Sequence, residues 1–161
     1  GISLVRASVI TTLYASITVL LQPISYGPVQ VRVSDALSIL PYIPRYGVNA
    51  VIGLALGTLL ANIVSPYGVY DIVVGTTANL VYSLVAWVLG RILYPSIKGL
   101  ILVAIEEIII TSLFIGYILL HIIYAVPLEI AVSGVAIGST ISQGVLGFLL
   151  GLWIIRREKS R

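Results

Sequence analysis

The sequence predicts an all-α integral membrane protein, a single transmembrane domain built as a bundle of six transmembrane helices with a short second helix. Of its 161 residues, 59% are hydrophobic and only 9% are charged, whereas soluble domains carry roughly 25% charged residues. The mean hydropathy is +1.13. Proline, glycine and charged residues divide the chain into apolar stretches, most of which have the length that crosses a bilayer, about 17–25 residues.

Each predicted span lies between residues that break or end a helix. The predicted spans are residues 4–22, 32–44, 46–64, 69–89, 100–124 and 128–155. A loop with a turn at Tyr26-Gly27-Pro28 follows the first span. The second span is the shortest, because Pro41 and Pro44 end it. Since about 9–12 α-helical residues reach only half of the bilayer, five spans with one re-entrant segment remain an alternative.

The later spans are separated by residues typical of turns. Ser65-Pro66-Tyr67-Gly68 separates the third span from the fourth, and the loop 90–99 separates the fourth from the fifth. Val126-Pro127 breaks the chain before the last span, and the charged tail 156–161 leaves the membrane.

The distribution of positive charge predicts the orientation. With both termini in the cytoplasm, every one of the nine basic residues except Arg32 lies on the inner side. These residues are Arg6, Arg45, Arg91, Lys98, Arg156, Arg157, Lys159 and Arg161. Because cytoplasmic loops carry an excess of Lys and Arg, we predict a multi-pass protein of the cell membrane with both termini in the cytoplasm.

Several function classes are excluded or disfavoured. The chain has no cysteine and one histidine, so a cysteine-ligated or multi-histidine metal site within one chain is excluded. No GxxxxGK[ST] motif is present, so active transport needs an ion gradient or partner subunits. We expect no catalytic residue, no cofactor, no metal site and no nucleic-acid partner.

The fourth span carries polar residues on one face. Asp71, Gly75 and Asn79 follow each other at intervals of four residues, and the glycine between two polar side chains leaves room for a ligand. Alternatively, Asp71 is a charge that the helix dipole favours near a helix N-terminus.

The fifth span contains two adjacent acidic residues at membrane depth. Glu106 and Glu107 point about 100° apart, so both cannot face one cavity equally. Because intramembrane carboxylates are costly, one is expected to face a cavity and the other a neighbouring chain. Alternatively, one pairs with Lys98 or Arg91 at the inner interface.

The outer half of the same span carries aromatic side chains at helical spacing. Tyr117, His121 and Tyr124 would form a stacking wall for a flat heterocycle, or an aromatic belt with an interfacial histidine.

The first span carries two rows of small residues at intervals of four. The rows are Ala7, Thr11 and Ala15, and beside them Ser8, Thr12 and Ser16. Small residues at this spacing let another helix approach closely. The rows therefore predict either a contact within the chain or a docking face for a partner subunit.

Part of the sequence resembles a known family. Residues 26–41 read YGPVQVRVSDALSILP, which resembles the YGPIQxRxSEALTxLP signature of the QueT family. Gly53, Leu59-Leu60-Ala61-Asn62, Ser65-Pro66-Tyr67-Gly68 and Asp71–Gly75 resemble that family's G…ANxxSPxGxxDxxxG run. The likeness extends from about Leu13 to Leu80, roughly half of the chain. Asp35 stands at the position of a glutamate, and Ser139 stands where the family has a Gly-Glu pair.

The resemblance implies a substrate-binding S component of an energy-coupling factor (ECF) transporter. Such a subunit would capture a queuosine precursor, a 7-deazaguanine such as queuine, preQ1 or preQ0. It would dock on a transmembrane coupling subunit, which rests on two ATPase subunits that drive uptake. The rows of the first span resemble the surface that S components use for this docking.

The chemistry of a 7-deazaguanine selects the candidate site residues. A carboxylate accepts from N1–H and the 2-amino group, an amide or a guanidinium donates to O6, and aromatic rings stack on the base. The expected substrate-binding residues are Tyr26, Gln30, Arg32, Asp35, Asp71, Asn79, Glu106, Tyr117 and His121. Arg32 and Asp35, three residues apart, are also placed to pair with each other.

Other functions stay open at this point. The chain could be a self-contained, ion-coupled small-molecule carrier, with Glu106, Glu107 and His121 as a proton relay. It could also be an S component for a different vitamin-like ligand, or a structural membrane subunit whose polar residues join helices.

Overall fold

The computed structural model describes residues 1–26 and 29–161, and this part of the chain is helical, with no strand within it. The predicted turn at Gly27-Pro28 lies outside the described residues. The helices are α1 (Leu4–Leu20), the single turn α2 (Gln22–Ser25), α3 (Gly47–Asn62), α4 (Gly68–Leu93), α5 (Ile97–Ile123) and α6 (Leu128–Lys159). A 3₁₀ helix, Val33–Tyr42, lies between α2 and α3.

Length and composition mark this as a membrane protein. Three helices, α4, α5 and α6, are long and apolar enough to cross a bilayer, while α1 and α3 are apolar but shorter. The predicted all-α membrane class is therefore confirmed in its coarse form, and the count of six spans stays a prediction. Both α5 and α6 contain a π-helical stretch, Ser112–Ile123 and Thr140–Gly147.

The second predicted span is a 3₁₀ helix over most of its length. At about 2.0 Å per residue, its ten residues span roughly 20 Å, whereas ten residues of α-helix span about 15 Å. Two local features favour this conformation. Pro41 has no N–H to donate, and Ser38 Oγ donates to the Asp35 carbonyl at 2.5 Å.

This 3₁₀ helix occupies the centre of the bundle and contacts α1, α3, α4, α5 and α6. Ile39, Tyr42 and Ile43 are fully buried. They form the main core with Tyr14 of α1, Leu54 of α3, Leu100 of α5 and Ile155 of α6. The 3₁₀ helix is therefore the element around which the longer helices pack.

Glycines make room for the central backbone. A Cβ added at Gly138 of α6 would collide with the Gln30 carbonyl, and one added at Gly90 of α4 would collide with the Tyr42 backbone. Backbone atoms cannot step aside as the end of a side chain can. The close approach therefore requires glycine at both positions.

Most of the basic residues gather at one end of the bundle. Arg6 Nη1 donates to the Arg45 carbonyl at 2.7 Å, Arg45 and Arg91 border one cavity, and Arg45 and Arg157 border another. At the opposite end, the Tyr124 hydroxyl donates to the Tyr67 carbonyl. The clustering of basic residues at one end agrees with the predicted topology. The side of the membrane on which this end lies stays a prediction.

Substitution of Gly138 by alanine should destabilise the fold. The new methyl group would meet the Gln30 backbone, and overpacking costs about 1–3 kcal/mol. Gly144→Ala in the same helix is the matched control, because its Cβ would meet the flexible end of Ile108 at 3.2 Å. Thermal unfolding of the detergent-purified protein should show a lower melting temperature for Gly138→Ala only. An equal loss in both variants would contradict the close approach.

Candidate substrate-binding site

A small buried cavity lies beside the 3₁₀ helix, between α1, α4, α5 and α6. Its volume is about 20 Å³, room for about one water molecule. Its wall is mostly polar, with Ile115, Val135, Ala78 and Gly75 as the apolar part. The main polar side chains in the wall are Tyr14, Gln30, Arg32, Asp35, Tyr82 and Ser139.

The 3₁₀ geometry aligns the polar residues of the central segment. Side chains three residues apart eclipse each other in a 3₁₀ helix, so Asp35 and Ser38 lie on one face, with Arg32 at its start. In an α-helix, successive members of this series would be offset by about 60°, so Arg32 and Ser38 would lie about 120° apart around the axis. The local conformation therefore determines which polar groups reach the cavity.

Two tyrosines hold the Asp35 carboxylate. Tyr14 of α1 donates to Asp35 Oδ1 at 2.5 Å, and Tyr82 of α4 donates to the same oxygen at 3.4 Å. Both tyrosines and Asp35 are buried. Asn79 Nδ2 in turn donates to the Tyr82 hydroxyl at 2.8 Å. The carboxylate is thus fixed through Oδ1, which leaves Oδ2 to accept from another group.

Opposite charge and an unused donor lie beside this carboxylate. Arg32 is buried with 8% of its surface exposed, and its guanidinium lies 5.1 Å from the centre of the Tyr26 ring. Gln30 Nε2 is buried without a hydrogen-bond partner in the described part of the chain. Because an unpaired buried donor is costly, Gln30 is a group that a ligand would satisfy.

Arg32 and Asp35 face one cavity without a direct hydrogen bond. Within the described residues, the side-chain hydrogen bonds to Asp35 come from Tyr14 and Tyr82. Arg32 and Asp35 therefore do not form the hydrogen-bonded pair that their spacing in the sequence allows. They lie as opposite charges in the wall of the same cavity. Such a wall suits a ligand that has donors on one edge and an acceptor on another.

A second polar layer lies between the 3₁₀ helix and α5. Ser38 Oγ lies 2.7 Å from Glu107 Oε2, and Glu107 is fully buried. One turn further on, Thr111 and Gln143 of α6 are joined at 3.2 Å. Thr111 also lines the cavity, so this layer links the cavity wall to the interior of α5 and α6.

Asp71 and Asn79 lie on the predicted inward face of α4 without lining the cavity. Asp71 Oδ2 accepts from Ser65 Oγ at 2.5 Å, and the Asp71 carbonyl accepts from Asn62 Nδ2 at 3.0 Å. Asp71 therefore fixes the turn between α3 and α4. Gly75, between Asp71 and Asn79, does line the cavity.

Three predicted site residues on α5 lie away from the cavity. Tyr117 is 40% exposed and stacks on His121 with ring centres 5.8 Å apart. His121 Nδ1 lies 2.8 Å from the Val126 carbonyl. Ile115 lines the cavity, and Tyr117, two residues on, points to the opposite side of the helix. Glu106 is outside the cavity wall, and its carboxylate oxygens are buried without a partner in the described part of the chain.

Sequence reasoning missed two residues that shape the site. Tyr82 follows Gly75 by seven residues and Asn79 by three, so extending the polar face of α4 by one turn identifies it. Tyr14 shares a buried face of α1 with Ile10 and Thr18. Both residues are easily read as interfacial aromatics, because tyrosine is common at the ends of membrane spans.

The two small-residue rows of α1 face different ways. Ala7 is buried, and Thr11 Oγ1 contacts the Gly53 carbonyl of α3 at 3.1 Å. A Cβ added at Gly53 would lie 2.8 Å from the Ala7 carbonyl, so the row Ala7, Thr11 and Ala15 packs within the chain. The row Ser8, Thr12 and Ser16 is exposed. A groove of about 280 Å³ between α1 and α3 borders this exposed row.

Among the residues that the structure describes, no group of three His, Asp or Glu side chains is arranged to hold a metal ion. The chemistry of the cavity is therefore that of hydrogen bonds, one carboxylate and one guanidinium.

Comparison with known proteins identifies a family. A sequence model described as QueT transporter matches residues 4–156, which is nearly the whole chain. The resemblance inferred from the motifs between residues 13 and 80 is thus confirmed, and it extends through α5 and α6. No curated protein and no solved structure matches the chain.

Removal of the Tyr14 hydroxyl should destabilise the protein. Tyr14→Phe deprives a buried carboxylate of its closest donor, which costs about 1–3 kcal/mol of the free energy of unfolding. Tyr70→Phe is the control, because the Tyr70 side chain is 54% exposed. Thermal unfolding in detergent measures both, and a Tyr14→Phe protein as stable as Tyr70→Phe would refute the role of this hydrogen bond.

Proposed function

Because this chain belongs to the QueT transporter family, we propose that it is the substrate-capture subunit of an ECF importer for a queuosine precursor. The substrate would be a 7-deazaguanine such as queuine, preQ1 or preQ0. The observation that carries the proposal is the buried polar cavity, to which the signature segment contributes Gln30, Arg32 and Asp35. Membership of a transporter family indicates transport, and the polar side chains of the cavity support a 7-deazaguanine as the substrate.

The cavity offers partners for each edge of a deazaguanine. Asp35 Oδ2 accepts from N1–H or from the 2-amino group, and a hydrogen bond to a charged group of this kind contributes about 1.5–3 kcal/mol. Gln30 Nε2 and the Arg32 guanidinium donate to O6. Because Tyr14 and Tyr82 already fix Asp35, the ligand would not bear the entropic cost of ordering the carboxylate.

The size of the cavity implies a conformational change. Its volume of about 20 Å³ is far below the 300–1,000 Å³ or so of ordinary ligand sites. A base can enter only when the walls separate, and it is enclosed when they close again. Closure excludes water, which strengthens the contacts that Asp35 and Arg32 make with the ligand.

Uptake would be driven by partner subunits. We place the basic end in the cytoplasm, with six crossings that include the 3₁₀ helix and with the whole chain as one domain. The exposed row Ser8, Thr12 and Ser16 is the proposed docking surface for the transmembrane coupling subunit, since small residues allow close helix contact. Two ATPase subunits attached to that coupling subunit would supply the energy.

The geometry disfavours the self-contained carrier. Glu107 and His121 are 14 positions apart on α5, which is roughly 21 Å along a helix. That separation is too long for direct proton transfer between the two groups. Dependence of uptake on ATP and on partner subunits separates the two mechanisms, because an ion-coupled carrier works alone.

A thermal-shift titration tests the substrate. A ligand that binds only the folded state stabilises it by about 2.7 kcal/mol at a hundredfold excess over Kd. We expect queuine, preQ1 or preQ0 to raise the melting temperature and unrelated vitamins to have little effect. Guanine has the same N1–H, 2-amino and O6 groups, so its effect measures how much the 7-position contributes. If only an unrelated vitamin raised the melting temperature, the proposed substrate would be wrong, and membership of the transporter family would be unaffected.

Asp35→Asn is the variant for this titration, and Glu129→Gln, an exposed carboxylate, is its control. The substitution at Asp35 replaces one of the two carboxylate oxygens, both acceptors, by an amide group that donates. We therefore expect a loss of deazaguanine affinity of tenfold or more, about 1.4 kcal/mol. Equilibrium dialysis checks this independently of stability. Equal affinity in both variants would remove Asp35 from the site.

Substitution on the exposed row of α1 tests docking. Thr12→Trp should reduce co-purification with the coupling subunit and ATP-driven uptake in vesicles, and should leave deazaguanine binding by the isolated subunit unchanged. Thr77→Trp is the control, because Thr77 is exposed on α4. Full assembly with Thr12→Trp would place the docking surface elsewhere.

A further inference from the structure

A large cavity lies at the basic end, away from the candidate substrate site. It has a volume of about 530 Å³ and lies between the start of α1, the end of the 3₁₀ helix, the start of α3 and the end of α4. Three arginines, Arg6, Arg45 and Arg91, line it, and among the described residues its lining includes no acidic side chain. We call it the basic-end cavity.

The three arginines are exposed, and the contacts that they make leave hydrogen-bond donors to spare. The Arg91 guanidinium lies 5.5 Å from the Trp87 ring centre, and the Arg45 guanidinium lies 6.0 Å from the Tyr46 ring centre. Arg6 uses Nη1 for the Arg45 carbonyl at 2.7 Å. Stacking on a ring leaves the in-plane N–H groups of a guanidinium free, and this planar fork suits the oxygens of a phosphate.

The nearby acid is engaged elsewhere. Glu158 borders a neighbouring cavity, and its carboxylate accepts a hydrogen bond from the Tyr94 hydroxyl. Burial, together with the Glu158 carboxylate, raises the pKa of Tyr94 above its ordinary value, so this hydroxyl remains a donor at neutral pH. Glu158 keeps its negative charge in this bond and borders Arg45 in the neighbouring cavity. It does not line the basic-end cavity, where the three arginines outnumber it, so the cavity still attracts an anion.

An apolar groove adjoins the basic-end cavity on α4. Leu84, Val85, Val88 and Leu89 line a groove of about 260 Å³ on the surface of this helix. Leu84, Val88 and Arg91 are spaced by four and three residues, so they share one stripe of the helix. Seven residues correspond to about 10 Å along the axis. The cationic site and the apolar groove thus lie along one stripe of α4, with the groove nearer the middle of the helix.

The surroundings set the depth of the site. Tyr42, Tyr46, Trp87 and Tyr94 all line the basic-end cavity. Tyrosine and tryptophan gather at the level of lipid headgroups, and basic cavities between spanning helices attract anionic headgroups. The anion that is concentrated at this depth is the phosphate of a membrane lipid.

We propose that the basic-end cavity is a binding site for an anionic phospholipid, whose phosphate lies among Arg6, Arg45 and Arg91 and whose acyl chain lies in the groove along Leu84 and Val88. The site is independent of the substrate, because it shares no residue with the buried cavity beside Asp35. A bound lipid would join the ends of α1, the 3₁₀ helix, α3 and α4 at the basic end.

Native mass spectrometry of the full chain in detergent tests the site. The probes are dioleoylphosphatidylglycerol, dioleoylphosphatidylcholine and inorganic phosphate. We expect one phosphatidylglycerol to be retained at concentrations at which phosphatidylcholine is lost, and a tenfold excess of phosphate over the lipid to leave it bound. Equal retention of both lipids would overturn the proposal. Full displacement by inorganic phosphate would overturn it as well, because the site would then be one for a free anion.

Matched variants locate the bound lipid. Arg45→Gln with Arg91→Gln should weaken phosphatidylglycerol binding about tenfold or more, since charge-assisted hydrogen bonds are lost. Arg156→Gln, an exposed arginine outside the cavity, should change it little.

Val88→Trp should fill the groove and weaken binding, whereas Val73→Trp, on an exposed part of the same helix, should not. If the test and control variants lost phosphatidylglycerol binding equally, general surface charge or hydrophobicity would explain the binding, and the site would be refuted.

Discussion

The fold depends on a ten-residue 3₁₀ helix that runs through the centre of the bundle. Its backbone passes so close to α4 and its N-terminal flank so close to α6 that Gly90 and Gly138 have no room for a Cβ. The larger apolar side chains of the segment, such as Ile39 and Tyr42, fill the core. Asp35 and Ser38 lie on one side of it, because residues three apart eclipse in this conformation. Packing and the candidate site thus depend on the same local geometry.

This geometry explains how a polar cavity is maintained inside an apolar protein. A carboxylate at membrane depth is costly unless it is hydrogen-bonded. Asp35 receives its donors from two different helices, Tyr14 of α1 and Tyr82 of α4. The same bonds that satisfy the charge therefore tie three elements together. Gln30 and Arg32 add the donors that a ligand with a carbonyl edge requires.

The sequence predicts the helices and the polar face of α4 because both have a periodic signal. The motif at residues 26–41 also identifies the transporter family, which the match over residues 4–156 confirms. The 3₁₀ conformation is not predictable in this way, since a segment of this length with prolines fits a short α-helix equally well from composition. Tyr117 and His121 lie away from the cavity, and aromatic spacing alone does not show which side of α5 faces inward. The prediction misses Tyr14 because only the tertiary packing brings α1 against Asp35.

α1 carries the contact to Asp35 and the proposed docking row on opposite sides of a single helix, roughly 10 Å across. Tyr14 on one side holds Asp35, and Thr12 on the other is exposed beside the proposed docking groove. Any partner that rotates or shifts this helix also displaces the Tyr14 hydroxyl, which donates to the Asp35 carboxylate. By thermodynamic reciprocity, the factor by which an occupied cavity tightens docking equals the factor by which docking tightens the grip on the ligand. A partner that prefers the empty subunit would, by the same linkage, promote release of the cargo.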